Sequence, residues 1–310
     1  MTIDLERLKF YTHASLRSRF VSEGSDSIIP PMNPSGLRRQ AILFLVLTAL
    51  LWSSSGLLIK IMRWQPLSIL SARSMIAIVV FWVYLRHLKF RWTRLQVAGA
   101  IGYAGAQMLF IMATKLTTAA NAIFLQYTSP IYIILLGYWW LGERPQPADW
   151  ISLFVIFAGL LLFFGDDLSF NGFSGNVLAA LSGMSMAVMV LCMRRQKDGV
   201  PAHTVLLGNI LSALIGLPFL LQEAWTLSSL GIVSYLGTFQ IGLSFVFYSI
   251  AIKHVPALES TLILSIEPIL NPLWVFLVIG EVPGRVALIG SMLVFGAVTA
   301  RAMISARATA

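Results

Sequence analysis

Arg73, Glu259 and Glu267 stand inside long apolar stretches of this chain. A charge in such surroundings is costly unless it is paired or binds something, so each is a candidate for chemistry. Arg73 can pair with a neighbouring carbonyl or carboxylate, or hold an acidic group of a ligand. Glu259, Ile263, Glu267 and Asn271 recur every four residues and therefore share one side of a helix. Glu259 lies near the start of its stretch, where a first-turn acid also suits the helix dipole. Glu267 lies deeper and precedes Pro268, whose missing N–H leaves a backbone carbonyl without its helical donor. A cation, a proton or an ammonium group fits such a place.

Uncharged polar and aromatic residues repeat at helical spacing around them. One stripe holds Thr118, Asn121, Leu125, Thr128 and Tyr132, and another holds Tyr103, Gln107, Phe110 and Thr114. Gln240, Ser244, Phe247 and Tyr248 form a third, and Trp52 and Ser55 stand on the first apolar stretch. Together they predict a cavity with aromatic walls, few charges and mixed hydrogen-bonding groups. Such a site suits a zwitterionic or amphipathic solute. A pyrophosphate ligand needs several cationic donors, and Arg73 is the one basic residue at depth. No metal cluster and no cofactor is expected from these residue types. Gly99, Gly102 and Gly105 in GAIGYAG are spaced for close helix approach, not for a phosphate loop. Cys192, the single cysteine, reads as a small apolar filler.

The elements that position these residues follow from composition. The 310 residues are 57% hydrophobic and 11% charged, with mean hydropathy +0.81. Apolar stretches long enough to cross a bilayer occupy approximately 41–59, 67–85, 95–114, 117–141, 149–165, 174–193, 202–221, 230–251, 257–279 and 285–304. The chain is therefore expected to be an all-α polytopic membrane protein with ten transmembrane helices. Residues 1–40 read as a poorly ordered tail with no continuous apolar signal core, and 305–310 as a short C-terminal tail.

The net charge of +9 is distributed by side. Seventeen Lys and Arg flank the N-terminal side of the ten spans, against Lys60, Arg63, Lys115 and Arg285 on the other. The positive-inside rule places both termini in the cytoplasm. The excess charge orients the chain in the bilayer and is no argument for a nucleic-acid partner.

The chain also repeats itself. Displaced by 138 residues, Ala113, Lys115, Ala119, Pro130, Ile131, Leu135, Gly142, Glu143 and Pro145 fall on identical residues at 251, 253, 257, 268, 269, 273, 280, 281 and 283. The halves are expected at 41–165 and 174–304, five spans each. Five is odd, so the second half enters from the opposite side. Inverted repeats with a midplane site between them are the architecture of secondary transporters. Pro130, Pro268 and Pro272 are the expected helix breaks or hinges, and Gly-Glu-x-Pro the turns after them.

The paired P-x11-G-E-x-P motifs, ALLWSSSGLLIK in the first span, Arg73 and the Glu267–Pro268 dipeptide resemble the EamA branch of the drug/metabolite transporter superfamily. The resemblance covers about residues 41–304. It implies a carrier of small metabolites in a cell membrane, bacterial inner membrane by the family's habit, often an amino-acid exporter. Sugar-nucleotide and triose-phosphate carriers are more distant relatives. The long N-terminal tail and Pro272 depart from the family pattern. The expected partners are a small-molecule substrate and the lipid bilayer, with homodimerisation open. Substrate contacts are expected from Trp52, Arg73, Tyr103, Gln107, Asn121, Thr128, Tyr132, Gln240, Tyr248 and Glu267, and proton or cation coupling from Glu259 and Glu267. Organic cations and nucleotide-linked metabolites are alternative cargoes.

An enzyme is the rival class. GFSG at 172–175 matches the nucleophile motif of rhomboid intramembrane proteases, with Ser174 and His203 or His254 as partners. These residues are expected on opposite sides of the membrane, out of reach for general-base chemistry.

Overall fold

Prolines and hydroxyl residues set where many of the helices start. Pro66 opens α2 (Pro66–Leu85) from a position where its missing N–H costs nothing. Thr93 and Gln96 cap α3 (Arg94–Leu116) reciprocally, and Thr226 and Ser229 do the same for α9 (Leu227–Tyr235). The computed structural model describes residues 34–54, 58–59, 62–87, 92–117, 119–164, 172–270 and 285–307. Among them no strand occurs. The other helices are α1 (Pro34–Ser53), α4 (Ala119–Gln126), α5 (Ser129–Leu141), α6 (Pro147–Phe164), α7 (Phe173–Arg195) and α8 (Ala202–Leu220). A π-helical segment (Leu236–Leu243) joins α9 to α10 (Ser244–Ala251), and α11 (Ala257–Leu264) and α12 (Arg285–Arg307) follow.

Eight of the described stretches are long and apolar enough to cross a membrane, and Pro147–Phe163 is a shorter apolar helix. The expected ninth span begins as α11 and is described to Leu270. Pro272, Asn271 and the second Gly-Glu-x-Pro turn lie outside the described residues. The first helix starts at Pro34, inside the segment expected as a tail, and residues 36–53 form one span. Arg38 is accommodated there by ion pairing, described below. Large apolar side chains face outward, Trp139 at 88% and Phe154 at 76% exposure, as a hydrocarbon surround requires.

The repeat is visible in the backbone. Ala119 and Ala257 begin helices that end at Gln126 and Leu264, each pair 138 residues apart. Turns at Tyr127–Thr128 and Ser265–Ile266 follow, and helix resumes at Ser129 and Glu267, one residue before Pro130 and Pro268. Both copies therefore break at the same register, where the proline removes a backbone donor. After α5, Gly142 adopts φ 70°, the left-handed cap that glycine enters without steric cost.

Helices of opposite halves pack together: α2 on α8, α3 on α7 and α6 on α12. Each crossing is made at glycine. A Cβ on Gly102 would lie 2.9 Å from the Met189 nitrogen, one on Gly216 2.3 Å from the Leu67 oxygen, and one on Gly159 2.9 Å from the Gly290 oxygen. Close backbone approach of this kind is the main way helices gain packing inside lipid.

Candidate functional site

A cavity of about 500 Å³ opens where the broken helices meet the partner half. Arg73 enters from the second turn of α2 and is 4% exposed. Its Nη1 donates to Gln240 Oε1 at 3.3 Å, and its Nε has no hydrogen-bond partner among the described residues. Gln240 sits in the π-helical segment. That segment lies against α2 because Gly237 lacks a side chain; a Cβ there would be 2.8 Å from the Arg73 carbonyl oxygen. π-turns of this sort are found mostly at functional sites.

The remaining walls are aromatic and amide. Tyr103 donates its hydroxyl to Asn209 at 3.2 Å, and Gln107 reaches the same hydroxyl at 3.5 Å. The Trp52 indole donates to Ser244 at 2.9 Å, and its ring lies 4.8 Å from that of Phe245. At the breaks themselves, Tyr127 donates to Glu267 Oε2 at 2.5 Å. This bond ties the turn of one half to the resumed helix of the other. Among the described lining residues, Arg73 and Glu267 supply the formal charges, one of each sign.

Of the residues expected at the site, Trp52, Arg73, Tyr103, Gln107, Gln240, Glu267 and Pro268 line this cavity. Thr128, Tyr132 and Tyr248 do not. Thr128 turns its hydroxyl to the Leu125 carbonyl, and Tyr132 packs half-buried against the core. Tyr248 is fully buried behind Trp52 and Phe245. Pro130 is buried at the start of α5 and marks the break without lining the cavity. Ser55, Thr118 and the side chain of Asn121 lie outside the described residues. Gln126 and Tyr127 line the cavity and were not expected. The turn at 127–128 interrupts the helical spacing of the expected stripe and swings a different face inward. A bulky polar residue three positions before Pro130 was the available signal.

Glu259 does not reach the cavity. It is 1% exposed and bound by Arg38 and Arg301, each at 2.9 Å, and by the Ser305 hydroxyl. Arg301 also pairs with Asp149 at 2.7 Å. Nearby, Glu143 accepts from Arg194 at 2.6 Å and from the Ala257 N–H at 3.0 Å, so the first Gly-Glu-x-Pro acid both pairs across the halves and caps α11. These groups are the ends of α1, α5, α6, α7, α11 and α12, and they define one ionic face. Three of the four ion pairs join opposite halves. Displaced by 138 residues, Arg38, Asp149, Glu259 and Arg301 become Asn176, Ala287, Asn121 and Phe163. The opposite face therefore cannot close on the same ion pairs.

Buried pairs contribute little net stability intact but cost much when one member is removed. Glu259→Ala leaves two guanidinium groups facing each other and is expected to destabilise the protein by about 3 kcal/mol. Thermal unfolding of purified protein in detergent checks this. An unchanged midpoint would mean that the network is solvated.

Ser174 stands at the start of α7 and His203 beyond its far end. The helix has 23 residues, so about 35 Å separates its ends. No proton passes between them directly.

Similarity to known proteins agrees with the architecture. The threonine/homoserine exporter RhtA of Escherichia coli (strain K12) is 26% identical over 210 residues, 66% of this chain and 68% of that protein. The uncharacterized transporter YyaM of Bacillus subtilis (strain 168) is 26% identical over 243 residues, 69% of this chain and 78% of that one. A protein of known crystal structure superimposes with a TM-score of 0.75 at 24% identity, over 86% of this chain and 98% of its own, which shows the shared fold. The model of the EamA-like transporter family matches residues 39–165 and 173–300, one match to each half. With its paired breaks, cross-packed halves and these two matches, the chain belongs to the EamA-like transporter family.

Proposed function

We propose that this protein is a secondary exporter of amino acids or closely related amphipathic metabolites. The supporting observation is the cavity, in which one guanidinium and one carboxyl line an otherwise neutral, aromatic space contributed by both halves. Arg73 holds the substrate carboxylate, Glu267 with Tyr127 receives the ammonium, and Trp52 and Phe245 pack the side chain. The volume of about 500 Å³ accommodates a solute of that size with some water. The relative RhtA is named for threonine and homoserine, which are solutes of this class.

Alternating access then consists of rocking the halves about the breaks at Pro130 and Pro268. The ionic face carries the excess of Lys and Arg and is assigned to the cytoplasm with both termini, in a bacterial inner membrane. In this conformation its ion pairs close the cytoplasmic side, while the cavity reaches Ile59 and Pro66 toward the other. Counterflow in proteoliposomes with a labelled metabolite panel tests the proposal. Saturable exchange of small neutral amino acids is expected. Exchange limited to amines without a carboxylate, or to phosphorylated solutes, would overturn it.

A further inference from the structure

The ionic face contains a second chamber, of about 340 Å³, which shares no lining residue with the central cavity. Arg144, Arg194, Lys197 and Arg301 line it, against Glu143 and Asp149. Both acids are already engaged. Glu143 is held by Arg194 and the Ala257 N–H, and Asp149 by Arg301 and the Gln146 N–H. The basic groups are not fully used. Arg144 and Lys197 are exposed and make no ion pair among the described residues. Arg301, 2% exposed, spends its Nε on Asp149 and its Nη2 on Glu259, and its buried Nη1 has no hydrogen-bond partner among the described residues.

A buried guanidinium nitrogen without an acceptor is a costly arrangement, and a buried donor of this kind calls for a partner. The chamber offers the space, and its free charge is positive. We infer that it is a binding site for an oxyanion, a carboxylate or phosphate group, held by Arg301, Arg144 and Lys197. A planar or tetrahedral oxyanion presents several acceptors to a guanidinium fork, which halide does not.

Occupancy has a structural consequence. An oxyanion beside Arg301 competes with Asp149 and Glu259 for the same group. It thereby loosens ties that join α12 to α6 and, through Glu259, to α1. The chamber thus couples ligand at the ionic face to the contacts that hold the halves together there. Where the transport reading above holds, the carboxylate of a solute waiting in the cytoplasm is one natural occupant. The site itself does not depend on that reading.

The test uses the full chain in nanodiscs of neutral phosphatidylcholine, carrying Arg73→Ala so that the central guanidinium makes no contribution. Acetate and inorganic phosphate are the probes, titrated calorimetrically. Saturable binding of one equivalent is expected. Adding Arg144→Gln and Lys197→Gln, both at exposed positions, weakens it about tenfold, the scale of a lost charge-assisted hydrogen bond. Asp149→Asn, which neutralises a competitor for Arg301, tightens it. Binding that is absent from the Arg73→Ala protein, or unmoved by the Arg144 and Lys197 changes, overturns the inference, as does weaker binding in Asp149→Asn. Repeating the titration in phosphatidylglycerol identifies the source. Retained probe binding means an aqueous oxyanion, and loss confined to that lipid means that a headgroup phosphate occupies the same site. A metabolite panel without any transported amino acid would sink the transport reading while leaving this titration readable.

Discussion

Arg73→Ala raises the half-saturating concentration for a transported amino acid between about tenfold and a hundredfold, the range expected for a charge-assisted hydrogen bond of roughly 1.5–3 kcal/mol. The size of the effect follows from how little else Arg73 does. Among the described residues its one hydrogen bond is long, 3.3 Å to the neutral Gln240, and its Nε has no partner. A guanidinium retained for folding would be expected to carry a carboxylate or several carbonyls, as Arg194 and Arg301 do. Removing Arg73 therefore relieves a desolvation cost within the protein, and folded yield is maintained. The penalty falls on substrates with a carboxylate and spares the corresponding decarboxylated amine. Transport measured across such a pair is the check. An unchanged half-saturation accompanied by loss of folded protein would assign Arg73 to the scaffold instead.

Glu267→Gln produces the complementary defect. The amide keeps an acceptor for the Tyr127 hydroxyl, so the link between the two breaks survives, but the negative charge facing the cavity is gone. Flux of the zwitterion falls about tenfold, on the same energy scale. The deaminated acid is affected far less. If the carboxyl also takes up and releases a proton during the cycle, the pH dependence of wild-type transport flattens in this variant. Counterflow in proteoliposomes across a range of pH reads both effects. Wild-type rates, ammonium preference and pH profile in the Gln variant would remove Glu267 from the mechanism altogether. Under the proposed function, the two substitutions together probe the charged ends of the substrate, one residue from each half of the chain.

The residues that carry these predictions are legible in the sequence because hydrocarbon makes polar groups conspicuous. Arg73, Gln107, Gln240 and Glu267 stand out from their apolar neighbours, and all four line the cavity. The breaks beside Pro130 and Pro268 are equally legible, since each proline removes a helical donor. What escaped was what happens beyond a break. Spacing of three and four holds only along continuous α-helix, so the stripe through Thr128 and Tyr132 does not predict the face that Gln126 and Tyr127 present. Tyr248 was misplaced for a related reason, because the π-helical turn before it shifts every downstream side chain. Glu259 was placed on the cavity stripe with Glu267, eight residues away. Its true partners, Arg38 and Arg301, lie 221 and 42 residues off and could be found only by folding the chain.

The bond between Tyr127 and Glu267 depends on the two halves being unlike. In the 138-residue register, Tyr127 corresponds to Ser265 and Glu267 to Ser129. Two copies of the first half would bring tyrosine and serine twice, with no acid; two copies of the second would bring acid without the phenol. Neither self-pairing can assemble a phenol–carboxylate contact at its centre. A unit paired with its own copy is restricted to identical chemistry on both sides of the symmetry axis. Two unlike halves in one chain are free of that restriction, and the centre of this protein depends on their not being interchangeable.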